Sequence, residues 1–438
     1  MKRRDFAKAL LAAPAAARQA EKQAEQNTRG LPPLTIKEVK AIPTSGGGRY
    51  AWIFLKITTS EPGLYGIGSA NNAYQPAEVL AGIEKHLAPF LIGKDPARIE
   101  DLWQSGNVRS YWRNGTVHTN LLSAADEALW DIKGKRAGMP VYELLGGKAR
   151  DAVPCYDHVG GRDQVAAAEA VSRSWESGYR HIRVQLAEGY GGGGYLPKGQ
   201  GSRPEKGYGG PAFDEETYAD TVPRAFDYIR SKVGFGPKLL HDVHEHLTPT
   251  MAVEFAKKME PYQMFFVEDI LPPEQIEWFR HIRQVCTTPM AMGELFTHPL
   301  EYTPLVSQRL IDFIRCRVSQ IGGITQAKKI AGLCEMFGVR TAWQEGGEND
   351  PVNQICAYHV DLSSPAFGIQ EENHFPPVVH EMLPGTGQIR RGYLYGSDRP
   401  GLGIDIDEKL AAKHPLPNQP NGGNWPMVRG MDGSVVKP

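Results

Sequence analysis

The spacing of apolar and polar positions changes character once along the chain. From Thr35 to Ile42 and from Tyr50 to Ile57 the two alternate, which predicts an antiparallel strand pair; Gly63 to Gly68 follows as a further short strand. Helical spacing then runs through Pro76–Leu91, Ile99–Trp112 and Thr119–Arg136, the last halted by Gly138 and Pro140. From Asp151 onward, short apolar runs alternate with amphipathic stretches. Eight strand ends are predicted near His158, Gln185, Asp242, Glu268, Glu294, Arg317, Trp343 and Glu371. The helices between them are predicted at Gln164–Ser177, Glu215–Val233, Thr248–Met259, Pro273–Val285, Tyr302–Leu310, Ile324–Phe337 and Pro351–Leu362. Connections of that length require a parallel sheet, and eight such units close a barrel. The expected fold class is therefore α/β, a (β/α)8 TIM-type barrel with an N-terminal α+β capping domain. The boundaries read as 1–30 for an export signal and linker, 31–148 for the cap, 149–384 for the barrel and 385–438 for a Pro- and Gly-rich tail packed back on barrel or cap.

Three of the strand ends carry carboxylates at one interval. Asp242, Glu268 and Glu294 are 26 and 26 residues apart, each closing an apolar run. Successive parallel strands bring all three to the C-terminal face of a barrel, where such folds keep their chemistry. Converging carboxylates repel and hold protons unless a cation sits among them. Because the set offers oxygen alone, the cation is expected to be hard, Mg2+ rather than Zn2+.

Composition removes several alternatives. The net charge of −1 gives no reason to expect nucleic acid or a membrane surface as partner. Cys155, Cys286, Cys316, Cys334 and Cys356 show no paired spacing and read as buried thiols in barrel elements. At the N-terminus, Arg3 and Arg4 precede Phe6 and the weakly apolar Ala9–Ala17, the pattern of a twin-arginine export signal; the expected address is periplasmic, with a cytoplasmic one as alternative. Between the second strand and its helix, residues 187–214 hold ten glycines but no phosphate-binding loop. A connection that long at the catalytic face predicts a lid.

Several stretches together identify a resemblance: Ala128–Lys135 followed by Met139–Gly147, the Asp/Glu/Glu ladder, and Ser319–Thr325. The chain is similar to the enolase superfamily. Tyr156–His158, His181–Gln185, His241–Glu245, Phe266–Asp269, Ile314–Arg315, Thr341–Trp343 and Phe367–Glu371 resemble its mannonate dehydratase group. The resemblance implies Arg183 and Tyr195 as a base pair, a fixed cation lowering the phenol's pKa. It also implies substrate contacts from His158, Arg315 and Glu371, with Asn71 or Asn72 closing the site from the first domain. His244, two residues past Asp242, points the same way if the strand continues and is expected to be the acid for a departing hydroxyl. One position departs. The group places a His after Thr341–Trp343, where this chain has Gln344, and Gln carries no proton near neutral pH.

The expected activity is Mg2+-dependent dehydration of an acid sugar such as D-mannonate to a 2-keto-3-deoxy acid. Gln344 keeps two alternatives open: another acid sugar such as D-gluconate, or epimerisation or racemisation, on the same scaffold; and a non-catalytic, metal-containing binder of sugar acids. An even-numbered homo-oligomer is expected from the same resemblance.

Overall fold

The computed structural model describes residues 32–187, 190–196, 204, 207, 209–418 and 427–437. The stretch expected as an export signal and Trp425 lie outside them. A three-stranded antiparallel sheet comes first: β1 (Ile36–Thr44), β2 (Trp52–Thr59) and β3 (Tyr65–Ser69). Both faces of β2 are buried, and in different places. Ile53, Leu55 and Ile57 join the core of the first domain, whereas Trp52 and Phe54 join that of the barrel. The period-two alternation read from the sequence thus fastens one unit to the other.

Three helices cover this sheet: α1 (Pro76–Gly82), continued to Leu91 through a π turn, α2 (Ile99–Arg109) and α3 (Thr116–Ala137). α3 packs against β3 so closely that a Cβ at Gly66 would stand 2.0 Å from the Ala128 carbonyl oxygen. Only glycine permits that approach. The helix stops at Gly138, whose φ of +68° is the left-handed cap expected there.

The barrel strands are β4 (Val153–Gly161), β5 (His181–Leu186), β8 (Lys238–Asp242), β9 (Phe266–Glu268), β10 (Met290–Met292), β11 (Phe313–Ile314), β12 (Arg340–Thr341) and β13 (Gln370–Glu371); β6 (Tyr195–Leu196) and β7 (Ala212–Phe213) form a small hairpin within the long connection. All eight pair in parallel. β13 returns to β4 through Glu371↔Tyr156, and a bridge from Thr341 to Phe367 closes the ring. Seven inward side chains fill the interior: Tyr156, Leu240, Phe266, Ala291, Phe313, Ala342 and Ile369. This is a packed barrel core of alternating large and small residues, not a pore.

The outer helices fall largely where the pattern places them: α4 (Gln164–Ser177), α5 (Glu215–Val233), α6 (Pro249–Lys258), α7 (Phe279–Val285), α8 (Pro299–Ser307), α9 (Gly323–Phe337) and α10 (Pro351–Ser363). Two differ from expectation. Pro273–Trp278 is a 3-10 segment with a non-helical Gln275, so α7 begins later. α8 begins earlier, because His298 and Glu301 form a capping box ahead of Pro299. All five cysteines are buried and free, as read from their spacing. After Leu383 the chain touches both units: β15 (Tyr393–Tyr395), paired with β14 (Gln388–Arg390), lies antiparallel to β4, and Glu408 meets Lys40 and Lys56 at 2.6 Å.

Candidate active site

The ladder is set by strand register. Asp242 lies opposite Glu268 across β8 and β9, and Glu268 opposite Ala291 on β10. Glu294 follows β10 after Gly293, whose φ of +138° few L side chains adopt. All three carboxylates reach the C-terminal mouth, Asp242 and Glu268 completely buried and the Glu294 side chain 22% exposed.

Two guanidinium groups stand among them. Arg183 Nη1, from β5, lies 2.5 Å from Glu268 Oε1, 3.1 Å from Glu371 Oε1 and 3.3 Å from Asp242 Oδ2. Arg315, just past β11, lies 3.2 Å from Glu268 Oε2, 3.1 Å from Asp269 Oδ2, 3.5 Å from Glu294 Oε2 and 2.7 Å from Glu371 Oε2, and donates to the Tyr156 hydroxyl at 2.9 Å. Five carboxylates therefore share two cations, leaving three negative charges uncompensated when all are ionised.

The carboxyl groups respond as that imbalance requires. Burial, then the neighbouring Glu268, pushes Asp242 well above the usual range. Burial and Asp269 push Glu294 up to about 8, and burial pushes Asp269 up to about 6 against the pull of Arg315. Burial opposes ionisation of Glu371 too, but Arg183 and Arg315 outweigh it and hold that group below its ordinary value. Buried, all-oxygen and over-charged, Asp242, Glu268 and Glu294 suit a hard dication. Arg183 and Arg315 nevertheless stand between them. Among the described residues, the three-membered His/Cys/Asp/Glu group whose ligand atoms all come within 4.8 Å of one another is a different one, Asp157, Glu372 and His374.

His244 reaches the site by another route than the one expected. The strand does not continue past Asp242: His244 and Glu245 take φ of +56° and +66°, a left-handed turn. The turn is held by the His244 N–H, which donates to Asp242 Oδ1 at 2.9 Å, and it leaves Nε2 4.0 Å from Glu294 Oε1.

The tyrosine over Arg183 also differs from the expected Tyr195. Tyr190 stacks on His244 with ring centroids 3.8 Å apart, and the Arg183 guanidinium lies 5.9 Å from its ring centre. Tyr195 sits on β6 with its ring edge-to-face against Phe213 at 5.7 Å. A pairing that puts Tyr195 at position β6 opposite Phe213 fixes its strand, whereas the turn through Gly191 lets Tyr190 fold over the barrel mouth. Spacing alone does not distinguish the two.

Other expected contacts divide. Arg315 and Glu371, expected at the substrate, are fully buried and answer one another beneath the carboxylates. His158 caps that pair from the open side, its Nε2 2.8 Å from Glu371 Oε1. Asn71 donates to the Glu348 carbonyl at 2.9 Å, tying the first domain to the loop after β12. Asn72 and Gln344 do line a cavity of about 280 Å³ between cap and barrel, together with Tyr74, His244, Glu294 and Arg317. Gln344 Oε1 is buried and has no hydrogen-bond partner among the described residues. Trp343 belongs to the core, donating to Asp361 Oδ1 at 2.7 Å. His241 and His246 are buried, His241 between the Val184 carbonyl and the Tyr218 hydroxyl.

Three residues at the site escaped the sequence reading. Asp269 directly follows Glu268 and by strand alternation faces away, but its φ of +44° turns it back into the same cluster. Tyr156 is one residue from a named position, and its phenol serves Arg315 inside the barrel. Tyr190 stood within the glycine run.

Comparison with known proteins agrees with this geometry. The model of the mandelate racemase/muconate lactonizing enzyme N-terminal domain matches residues 35–146, and the enolase C-terminal domain-like model matches 166–410. A D-galactonate dehydratase family member from Paenibacillus sp. is 50% identical over 413 residues, covering 92% of this chain and 99% of that protein. One from Pantoea ananatis is 49% identical over 420 residues, with the same coverage of 92% and 99%. The crystal structure of an enolase from Pantoea ananatis with bound D-gluconate and Mg matches with a TM-score of 0.88 at 48% identity, covering 92% of this chain and 100% of that one. A first domain of β-meander and helices, a closed eight-stranded barrel with its acidic ladder, and these matches over most of the length place the chain in the enolase superfamily, as a member of the D-galactonate dehydratase family of acid-sugar dehydratases.

Proposed function

We propose that this protein is a hydro-lyase that dehydrates an aldonate to a 2-keto-3-deoxy acid, with Mg2+ held by Asp242, Glu268 and Glu294. The observation that carries the reading is the surplus of buried carboxylates over guanidinium groups at the barrel mouth. Mg2+ bound there supplies a Lewis acid for the charge that develops on the substrate carboxylate when the α-proton leaves.

The chain's own residues supply the proton transfers. A lid tyrosine set against Arg183 takes the proton from C2; Tyr195 holds that role by resemblance and Tyr190 by its place over Arg183. His244, stacked and turned toward Glu294, returns a proton to the departing C3 hydroxyl, which leaves as water. The enol so formed becomes the 2-keto-3-deoxy acid on taking a proton at C3. Asn72, Arg317 and Gln344 face the cavity where the hydroxyls of a six-carbon acid would lie.

Gln344 favours dehydration over epimerisation. Inverting C2 needs a proton carrier on each face of that carbon, and a carboxamide beyond β12 cannot serve as one. D-gluconate is the first substrate to try because a protein 48% identical was crystallised with it, and D-mannonate, its C2 epimer, is the second. The test is a screen of aldonates with purified protein, in Mg2+ and after chelation, for 2-keto product. Turnover of at least one aldonate that disappears on chelation is expected. A C2 epimer without keto acid would establish epimerisation instead, and tight aldonate binding with no product would make the protein a binder.

A further inference from the structure

Strand alternation gives β4 and β13 two chemically distinct faces. His158 and Glu371 point into the barrel toward the site just described, while their neighbours Asp157 and Glu372 point outward at the seam where the last strand meets the first. His374 comes back over that seam, its Nε2 3.0 Å from Glu372 Oε1. One ligand atom from each of Asp157, Glu372 and His374 lies within 4.8 Å of the others. Ser174 on α4 steadies the first carboxylate, donating to Asp157 Oδ2 at 2.6 Å, and the Tyr179 hydroxyl donates to Glu372 Oε1 at 2.9 Å.

A second observation points to a missing partner. The Glu372 side chain is only 2% exposed, and its Oε2 has no hydrogen-bond donor among the described residues. A carboxylate that deeply buried with one oxygen unmatched is destabilising unless something positive answers it. His374, by contrast, has a side chain 67% exposed, which leaves the group open to solvent on one side.

We propose that Asp157, Glu372 and His374 form a second divalent-cation site on the outer wall of the barrel, taking a first-row transition metal such as Zn2+. An imidazole with two carboxylates is a donor set of that class, in contrast to the all-oxygen ladder inside. Three atoms within 4.8 Å of one another share a centre no more than about 2.8 Å from each, so inward movements of about 0.7 Å reach ordinary zinc–ligand lengths. Solvent on the His374 side completes the coordination. The bound ion joins β4 to β13 where the ladder holds only two residue pairs, Gln370↔Cys155 and Glu371↔Tyr156. It thereby steadies the strands that carry His158 and Glu371. The site does not depend on the reaction proposed above.

The test uses the full chain saturated with Mg2+ and titrated with Zn2+, with bound zinc measured after dialysis and located by anomalous scattering at the zinc edge. One zinc per chain at Asp157, Glu372 and His374 is expected, together with a zinc-dependent rise in melting temperature. His374→Ala, at a side chain 67% exposed, should weaken zinc binding at least about tenfold and abolish that rise. Asp242→Asn should lose Mg2+-dependent turnover yet keep the outer zinc, so the two assignments fail separately. No anomalous peak between these three side chains, or equal zinc affinity in wild type and His374→Ala, overturns the proposal.

Discussion

The carboxylate ladder and the glycine-rich connection after β5 meet at His244, whose N–H donates to Asp242 and whose ring stacks on Tyr190, and they reach it by opposite means. Asp242 and Glu268 end short apolar runs whose neighbours are already paired and lie opposite each other by register alone, and Glu294 follows two residues after β10. Within the connection, pairing holds Tyr195 on the short β6–β7 hairpin. Tyr190 and Tyr195 are five residues apart, with glycine at all four positions between them, and they end in different surroundings, one stacked on His244 and the other against Phe213. Two of the three ladder charges are built on strands, while Tyr190 hangs on a turn whose next residue, Gly191, takes a positive φ.

The sharpest break of that contrast is on the rigid side. Asp242→Asn keeps the shape of β8 and removes a ladder charge; turnover should fall by about 10³-fold or more, with an unchanged circular-dichroism spectrum, in steady-state assays of the aldonate found by screening. Retained turnover would move the chemistry off the ladder. On the lid side, Tyr190→Phe and Tyr195→Phe should separate: the proton-abstracting residue loses about 10²- to 10⁴-fold in kcat, and the other stays within a few-fold of wild type. Equal, small losses in both would remove the lid tyrosines from the proton transfer.

His244 belongs to both regions, anchored to Asp242 and stacked on Tyr190. His244→Asn should cost about 10²-fold in kcat, and less on a substrate whose C3 substituent leaves without protonation, as checked with a 3-fluoro analogue.

The smallest expected effect concerns the joint that holds cap to barrel, away from both regions. Asp126 on α3 accepts the Thr325 N–H of α9 at 2.9 Å, and burial raises its pKa to about 7. An acid with a folded pKa above its unfolded value of roughly 3.9 contributes stability fully below that value and loses it as pH rises to about 7. Thermal melts from pH 4 to pH 7 should therefore fall more steeply for wild type than for Asp126→Asn, by on the order of 1–4 kcal/mol across the range. Parallel curves would show that Asp126 is ionised throughout.

Much of this is legible in the amino-acid sequence. The eight strand-helix units, the buried cysteines and the ladder follow from period and spacing, because regular elements impose their geometry on sequence. The helices at Gln164–Ser177 and Glu215–Val233 fall at their predicted bounds. What could not be read lies where the backbone leaves its regular conformation. His244, Glu245 and Asp269 all take positive φ at strand ends, so a rule of alternating faces gives the wrong direction for Asp269 and the wrong route for His244. Arg183 and Arg315 were expected at base and substrate; that they also serve as counterions for the ladder emerges only when five carboxylates are seen in one place.

The most direct measurement is proton NMR of the reaction in D2O. With Mg2+ present, the wild-type protein should convert its aldonate to a 2-keto-3-deoxy acid carrying one solvent deuterium at C3, and neither the chelated protein nor Asp242→Asn should yield product. Product formed at the same rate after chelation, or by Asp242→Asn, would contradict the claim that the acidic ladder is the seat of the reaction.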